Sequence, residues 1–302
     1  MGELTVVTGA AGFIGRELCR VLRERGGRGD EVRGIDIRSG RQHVVEDLSD
    51  PKRAKHTLEG ATRIYHLAAR MGGAAFSASN RIETAIENSR IDSSVIQGAP
   101  KGAHLVYASS ACVYPTYLTI PLDKLFADGR TPLPGYGDAK LFGERLCDLA
   151  DHIDTRIARI FTVYGPGGRA DAGGKFVESI CANWIHAVRD RHPLVIWGDG
   201  EQQRSVIHVR DCVNALIALM DCEDAPTINV ASDDVLTPNR LVEMLKSISP
   251  DVAPIIEYDS DAPIGPIARV SDNTIARDTL TWRPSIPLRQ GIEETFRSIA
   301  AR

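Results

Sequence analysis

The chain has 302 residues and a mass of 32.9 kDa, room for one large domain or two modest ones at roughly 150 residues each. Hydrophobic residues at 43% and charged residues at 25% are proportions of a globular protein, which excludes a disordered tail or a collagen-like fibre. With 36 Lys plus Arg against 40 Asp plus Glu, the net charge of −4 leaves no basic footprint for nucleic acid, and no apolar run reaches the ~18–20 residues of a membrane span.

The opening residues run directly into Leu4–Thr8 without a charged lead, so a cytoplasmic protein is expected. That first run is apolar, β-branched and closed by Gly9, the pattern of a buried strand. Phe13, Ile14, Leu18, Val21 and Leu22 then recur at helical spacing until Gly26 and Gly27 stop them. Residues 32–36 and 64–69 read as the next strands, and Ile82, Ile86, Ile91 and Val95 predict a helix running to Gly98-Ala99-Pro100. His104–Ser110 and 155–164 are further strands, the latter ending in Gly165-Pro166-Gly167-Gly168. Such alternation makes a parallel sheet with helices on both faces. Beyond Gly165 the elements shorten and Pro and Gly become frequent, which marks a second, smaller lobe, although 206–220 and 227–230 suit a return to the first. The predicted fold is α/β: a Rossmann-type doubly wound parallel sheet over 1–165, receiving parts of 205–232, with a smaller C-terminal α/β substrate lobe over 166–302.

Six cysteines, Cys19, Cys112, Cys147, Cys181, Cys212 and Cys222, form no C-x-x-C pair and have no histidines at zinc-ligand spacing, so no metal site is expected. Five read as small buried hydrophobes. Cys112 stands apart because of its neighbours.

Gly9, Gly12 and Gly15 lie between the first strand and the first helix, where glycines let backbone N–H groups approach a pyrophosphate at a helix N-terminus. The spacing is G-x-x-G-x-x-G, and 21 positions past Gly15 an acidic residue, Asp36, closes the second strand. A carboxylate there accepts the ribose hydroxyls of NAD and repels the 2′-phosphate of NADP. Further along, Tyr136 and Lys140 fall at i and i+4 on one helical face. An adjacent ammonium favours a phenolate, which makes Tyr136 a candidate general base. Ser110, at the C-terminal end of a predicted strand, lies where open α/β sheets bind ligands.

Thr8-Gly9-Ala-Ala-Gly12-Phe13-Ile14-Gly15, His66-Leu67-Ala68-Ala69, Tyr107-Ala-Ser-Ser110 and Tyr136-x-x-x-Lys140 together resemble the extended short-chain dehydrogenases/reductases that act on nucleotide sugars. Arg159-Ile-Phe-Thr-Val-Tyr164-Gly-Pro166, Trp197-Gly-Asp-Gly200 and Leu280-x-Trp282-x-Pro284 extend the likeness nearly to the end of the chain. The resemblance implies bound NAD contacted by the glycine turn, by Asp47-Leu48 at the adenine and by Leu67, Ala68 and Ala69. It also implies that Ser110, Tyr136 and Lys140 oxidise and later re-reduce a sugar hydroxyl, in an enzyme that usually dimerises through helices beside the tyrosine.

Within that family, Met71-Gly72-Gly73, Ser110-Ala111-Cys112 and the Gly-Gly-Lys175 loop resemble the GDP-mannose 3,5-epimerases, in which the cysteine and the lysine are the ring acid/base pair. A thiol can take a proton from carbon only beside a carbonyl, and a transient 4-keto sugar provides one. The resemblance further assigns Thr162, Trp197, Gln202, Arg204 and Arg269 to the nucleotide sugar, the two arginines to its diphosphate. Thr162 departs from the family's asparagine at that position, and Arg70 stands where an acidic residue is expected. The expected activity is that of an NAD-dependent epimerase acting at C3, C5 or both of a GDP-mannose-like sugar. Ser110, Tyr136 and Lys140 without Cys112 would serve 4-epimerisation or 4-keto reduction, and a non-catalytic NAD(H) sensor is a remote alternative.

Overall fold

The structure, a computed structural model, describes residues 2–27, 29–40, 42–72, 76, 79–115, 134–168, 176–223, 225–262 and 265–302. The first half alternates as the sequence pattern requires: β1 (Leu4–Thr8), α1 (Phe13–Arg25), β2 (Glu31–Asp36), β3 (Val44–Val45), α2 (Pro51–Thr57), β4 (Arg63–His66), α3 (Arg81–Gly98), β5 (His104–Ser110), α4 (Tyr136–Asp148) and β6 (Asp154–Ile160). The second half contains β7 (Thr162–Tyr164), α5 (Phe176–Asp190), β8 (Leu194–Trp197), β9 (Gln203–His208), α6 (Val209–Met220), β10 (Ile228–Val230), β11 (Val235–Leu236), α7 (Pro238–Ile248), β12 (Ile256–Asp259), β13 (Ala268–Arg269), α8 (Thr274–Thr279) and α9 (Leu288–Ala300).

Seven strands form one parallel sheet in the order β10-β6-β5-β4-β1-β2-β3. Helices cover both faces, as an all-parallel sheet requires. On one face α1 and α6 pack over Val7, Leu18, Val106 and Leu216; on the other α2, α3 and α4 cover Val6, Ile64, Val95 and Leu105. Leu18 and Ile64 are wholly buried, and each contributes about 1.5–3 kcal/mol by leaving water. The strand order reverses at β1, whose neighbours are β2 and β4. The crevice at the carboxyl ends of β1, β4 and β5 is therefore where a ligand enters.

A second sheet joins β11, β9 and β13, with β7 added on β9, and β8 pairs with β12 in a third. Trp184, Leu241 and Ile292 fill the core beneath α5, α7 and α9.

Three local expectations are corrected, and one that holds carries an unexpected buried face. The run 155–164 is two strands: Ile160 pairs with Val230 and Ser110 in the first sheet, whereas Thr162 pairs with Val206 in the second. Continuous apolar sequence carries no mark of that switch, because only the distant partners differ. The strand expected over 64–69 stops at His66, since the N–H groups of Leu67 and Ala68 donate to Thr8 Oγ1 (3.1 and 3.0 Å) instead of to a neighbouring strand. The helix read from Ile82, Ile86, Ile91 and Val95 forms over Arg81–Gly98 as expected, with Ile82 and Ile86 exposed and Thr84, Asn88, Asp92 and Ser94 buried alongside Val95 and Ile96. Cys222 is partly exposed, while Cys19, Cys147, Cys181 and Cys212 are buried.

Candidate active site

The turn after β1 is shaped to bring backbone close to a ligand. Gly9 adopts φ +69°, and a Cβ there would meet Leu67 O at 2.9 Å. A Cβ on Gly15 would lie 2.2 Å from Gly9 O, so the helix could not pack so near the turn with any other residue. Gly12 caps α1 without a side-chain acceptor, and no acidic residue lies in the first turn. The leading amides and the positive end of the helix dipole are left to an anion. Phe13 and Ile14, half-buried, carry the first turn into the core.

Asp36 ends β2 with only 8% of its surface exposed. Its carboxylate accepts the N–H of Ala11 (3.0 Å) and of Arg38 (3.0 Å), and Arg38 Nε donates to it at 3.1 Å. Burial works against the charge, but the Arg38 guanidinium and these amides outweigh it and hold the carboxyl below the usual range. Leu48 is buried beside the adjacent edge, and Asp47 is exposed, accepting the N–H of Ser49 at 2.9 Å.

Ser110 closes β5, and Tyr136 is the first residue of α4, entered through Gly135 at φ +86°. Ser110 acts on the Tyr136 phenol from the end of the strand, and Lys140 follows one turn later, 1% exposed. The electrostatics differ from the expected sense. Burial first, and then the charges of Cys112 and Asp92, push the Tyr136 phenol above its ordinary value, and only the Ser110 hydroxyl acts the other way. Lys140 Nζ is 3.8 Å from Asp92 Oδ1 and 4.5 Å from the Tyr107 ring centroid, so its charge is shared with a carboxylate.

Asp92 was not singled out from sequence, because a polar residue in a helix ordinarily faces solvent. Here it is fully buried. It accepts from Tyr107 OH at 2.5 Å and lies 3.0 Å from His66 Nε2; His66 Nδ1 is 2.8 Å from Thr8 Oγ1. Since Thr8 Oγ1 already accepts two N–H groups, its hydrogen goes to His66 Nδ1, and the imidazole donates to Asp92 from Nε2. Burial, opposed by Asp92, pulls that imidazole below its usual pKa. Asn88, one turn earlier, accepts the Arg70 N–H at 2.7 Å and donates to its carbonyl at 2.9 Å, pinning the chain that leads to Met71 and Gly72.

Cys112 follows Ser110 in a short 3-10 turn, Ala111–Val113, and its N–H donates to Ser110 Oγ at 3.2 Å. Ala111 is buried, whereas Cys112 is partly exposed. Arg269 Nη1 donates to Cys112 Sγ at 3.4 Å. Arg269 pairs in register with Arg204 across β13 and β9. Burial first, and Arg269 second, lower the Arg204 guanidinium to about 10, with Cys112 acting the other way. Among the described residues no carboxylate pairs with either arginine, and Arg269 Nη2 is buried without an acceptor. Two adjoining guanidinium groups lacking a counterion suit an anion such as a diphosphate.

The structure thus gathers Ser110, Tyr136 and Cys112, with Arg269 and Arg204 beyond the thiol. Thr162 opens β7 half-buried, and buried Gln202 donates to Trp197 O at 2.9 Å. The Trp197 side chain is 46% exposed, and Met71 equally so. Gly73 and Lys175 lie outside the described residues.

The sequence pattern of the NAD dependent epimerase/dehydratase family matches residues 5–231. The chain belongs to that family. Its cofactor is accordingly NAD, and the uncapped glycine turn and the buried Lys140 Nζ, without a hydrogen-bond acceptor among the described residues, fit the dinucleotide's phosphates and ribose hydroxyls. The chain is 29% identical to GDP-mannose 3,5-epimerase of Arabidopsis thaliana, over 96% of its own length and 80% of the relative's. It is 30% identical to UDP-glucuronic acid decarboxylase 1 of the same plant, over 95% and 67% respectively. Among solved structures it resembles UDP-glucuronic acid 4-epimerase from Bacillus cereus in complex with UDP-glucuronic acid and NAD, with a TM-score of 0.85, 25% identity and 99% of each chain covered.

Proposed function

We propose that this family member is a nucleotide-sugar epimerase that works through a transient 4-keto sugar and moves a proton at C3, C5 or both of a GDP-mannose-like hexose or heptose. The observation that carries the reading is Cys112: a partly exposed thiol, two residues past Ser110, with the Arg269 guanidinium on its sulfur. Neither hydride transfer nor 4-epimerisation has a use for a thiol there.

NAD held by the glycine turn and Lys140 would supply the hydride acceptor and donor for C4. Tyr136 takes the C4 hydroxyl proton, and Ser110 orients that oxygen. Lys140 supplies positive charge to the phenolate as it forms. Beside the new carbonyl the ring protons become acidic, and Cys112 exchanges one of them, with Lys175 as its partner from the other face. Arg269, whose guanidinium donates to the cysteine sulfur, binds the diphosphate together with Arg204. Exposed Ile82, Ile86 and Phe142 on α3 and α4 support a homodimer, which sedimentation analysis tests. Among the described residues no helix is long and apolar enough to cross a membrane.

Incubating the enzyme with GDP-mannose and other nucleotide sugars in heavy water tests the reading. Wild type should wash deuterium into C3 or C5; Cys112→Ser should lose that label while still forming the 4-keto sugar. Undiminished labelling in the variant would reduce the cysteine to pocket lining. A second reading, 4-epimerisation, is favoured by the likeness to the B. cereus 4-epimerase, and it predicts a changed C4 with C3 and C5 unlabelled.

A further inference from the structure

The seat under Lys140 contains more than the reaction described above uses. Asp92 lies on α3, 26 residues from His66 on β4, and meets Tyr107 on β5 and Lys140 on α4. Four elements converge on one carboxylate that water does not reach. Isolated buried carboxylates are costly, and one is retained only where its charge is matched. The match here is Lys140, with hydrogen bonds from His66 and Tyr107 completing the shell.

Space for this seat comes from Gly143, three residues past Lys140. A Cβ there would lie 2.0 Å from Tyr107 OH and 2.7 Å from Asp92 Oδ2. The seat is also closed on its far side. Thr8 Oγ1 has both lone pairs and its hydrogen committed, so the Thr8–His66–Asp92 chain ends in the backbone of residues 67 and 68 and offers no route to solvent. It is an anchor and not a proton relay.

We propose that Asp92 is a positioning residue that holds the Lys140 ammonium from beneath, over the Tyr107 ring, and thereby sets both where Lys140 meets NAD and how much positive charge it lends to Tyr136. At 3.8 Å the carboxylate attracts the ammonium without taking a short hydrogen bond from it, so the N–H groups of Nζ stay available to the cofactor's ribose and the phenol. The titratable groups facing Asp92 are His66, Tyr107, Lys140, Tyr136 and Cys147. Its negative charge opposes the Tyr136 phenolate, the same direction in which burial acts. This role rests on the reading of Tyr136 and Lys140 as the hydride-transfer pair.

Asp92→Asn tests it with little change of shape. The amide oxygen still accepts from His66, the amide nitrogen donates to the Tyr107 hydroxyl, and that hydroxyl can turn its hydrogen to the Lys140 carbonyl 3.5 Å away. Calorimetric NAD titrations of Asp92→Asn, Lys140→Met and the double variant form a cycle. Asp92→Asn should weaken NAD by about fivefold with Lys140 present and not at all with Lys140→Met. Equal losses in both backgrounds would overturn the proposal. The pH profile of turnover gives the second readout: the acid limb of Asp92→Asn should move about one unit toward lower pH, because an opposing charge has gone from the phenolate. An unmoved limb would also overturn it. Asp92→Ser serves where the Asn variant fails to fold, and loss of folding in both would make Asp92 a folding residue. If Tyr136→Phe keeps full turnover, the hydride-transfer reading fails, while the NAD cycle still reports on Asp92 and Lys140.

Discussion

Glu144 braces the strand that carries the serine against the helix that carries the tyrosine. It is 4% exposed and accepts Arg159 Nε at 2.9 Å, Arg159 Nη2 at 2.7 Å and the Ser109 hydroxyl. Glu144→Gln preserves the volume and removes the charge, leaving a buried guanidinium facing an amide. Breaking one partner of a buried, bidentate pair costs about 3–5 kcal/mol. For a chain of this length each kcal/mol moves the melting midpoint by roughly 2 °C, so Glu144→Gln should melt about 6–10 °C lower. The exposed pair Arg20–Glu24, 49% and 60% exposed at 2.7 Å, is the internal control. Its Glu24→Gln loss should be about 0.3–0.5 kcal/mol, near the limit of detection. Thermal melts of the three proteins decide the matter. Replacing both Glu144 and Arg159 with Met should recover much of the loss, since no lone charge is then buried. A Glu144→Gln melt indistinguishable from the Glu24→Gln control would refute the reasoning, because the buried pair would then be screened like a surface one. Because Ser109 precedes Ser110, the same variant should lower kcat more than it raises the NAD dissociation constant.

Denaturing the purified protein should release NAD, and Asp36→Ala should weaken NAD by about tenfold or more through loss of a charged acceptor; recovery of NADP as the main nucleotide would contradict the Asp36 assignment. Tyr136→Phe should cut turnover by about 10²–10⁴-fold with NAD affinity nearly unchanged, and turnover close to wild type would place the base elsewhere. His66 and His208 both have pKa values lowered, by burial first, so the unfolded chain takes up protons before the folded one as pH falls through about 6.5. Their contribution to stability is complete above that value and declines below it, and urea midpoints should fall between pH 7.5 and 5.5; a flat or rising midpoint would show that neither histidine is held neutral.

The amino-acid sequence alone determined the features that depend on near neighbours. A glycine turn between strand and helix, an acidic residue closing β2, and a tyrosine and lysine one helical turn apart are local patterns, and the periodicity of β1, α1 and β5 needs no distant partner. That the parallel sheet would be buried on both faces followed from the alternation of its elements. Tertiary structure decided whatever depends on residues far apart in the chain. The sulfur of Cys112 meets a guanidinium 157 residues away, and His66 meets Asp92 across 26. The helix α3 was read from its apolar spacing, but its buried face mixes Val95 and Ile96 with Thr84, Asn88 and Asp92, because it supplies Asn88 and Asp92 to the site while Ile82 and Ile86 are exposed. The sense of the Tyr136 shift was likewise beyond reach of the i, i+4 spacing. Spacing places an ammonium near a phenol, but burial and a third charge set the balance between them, and both arise only when four elements close around the same carboxylate.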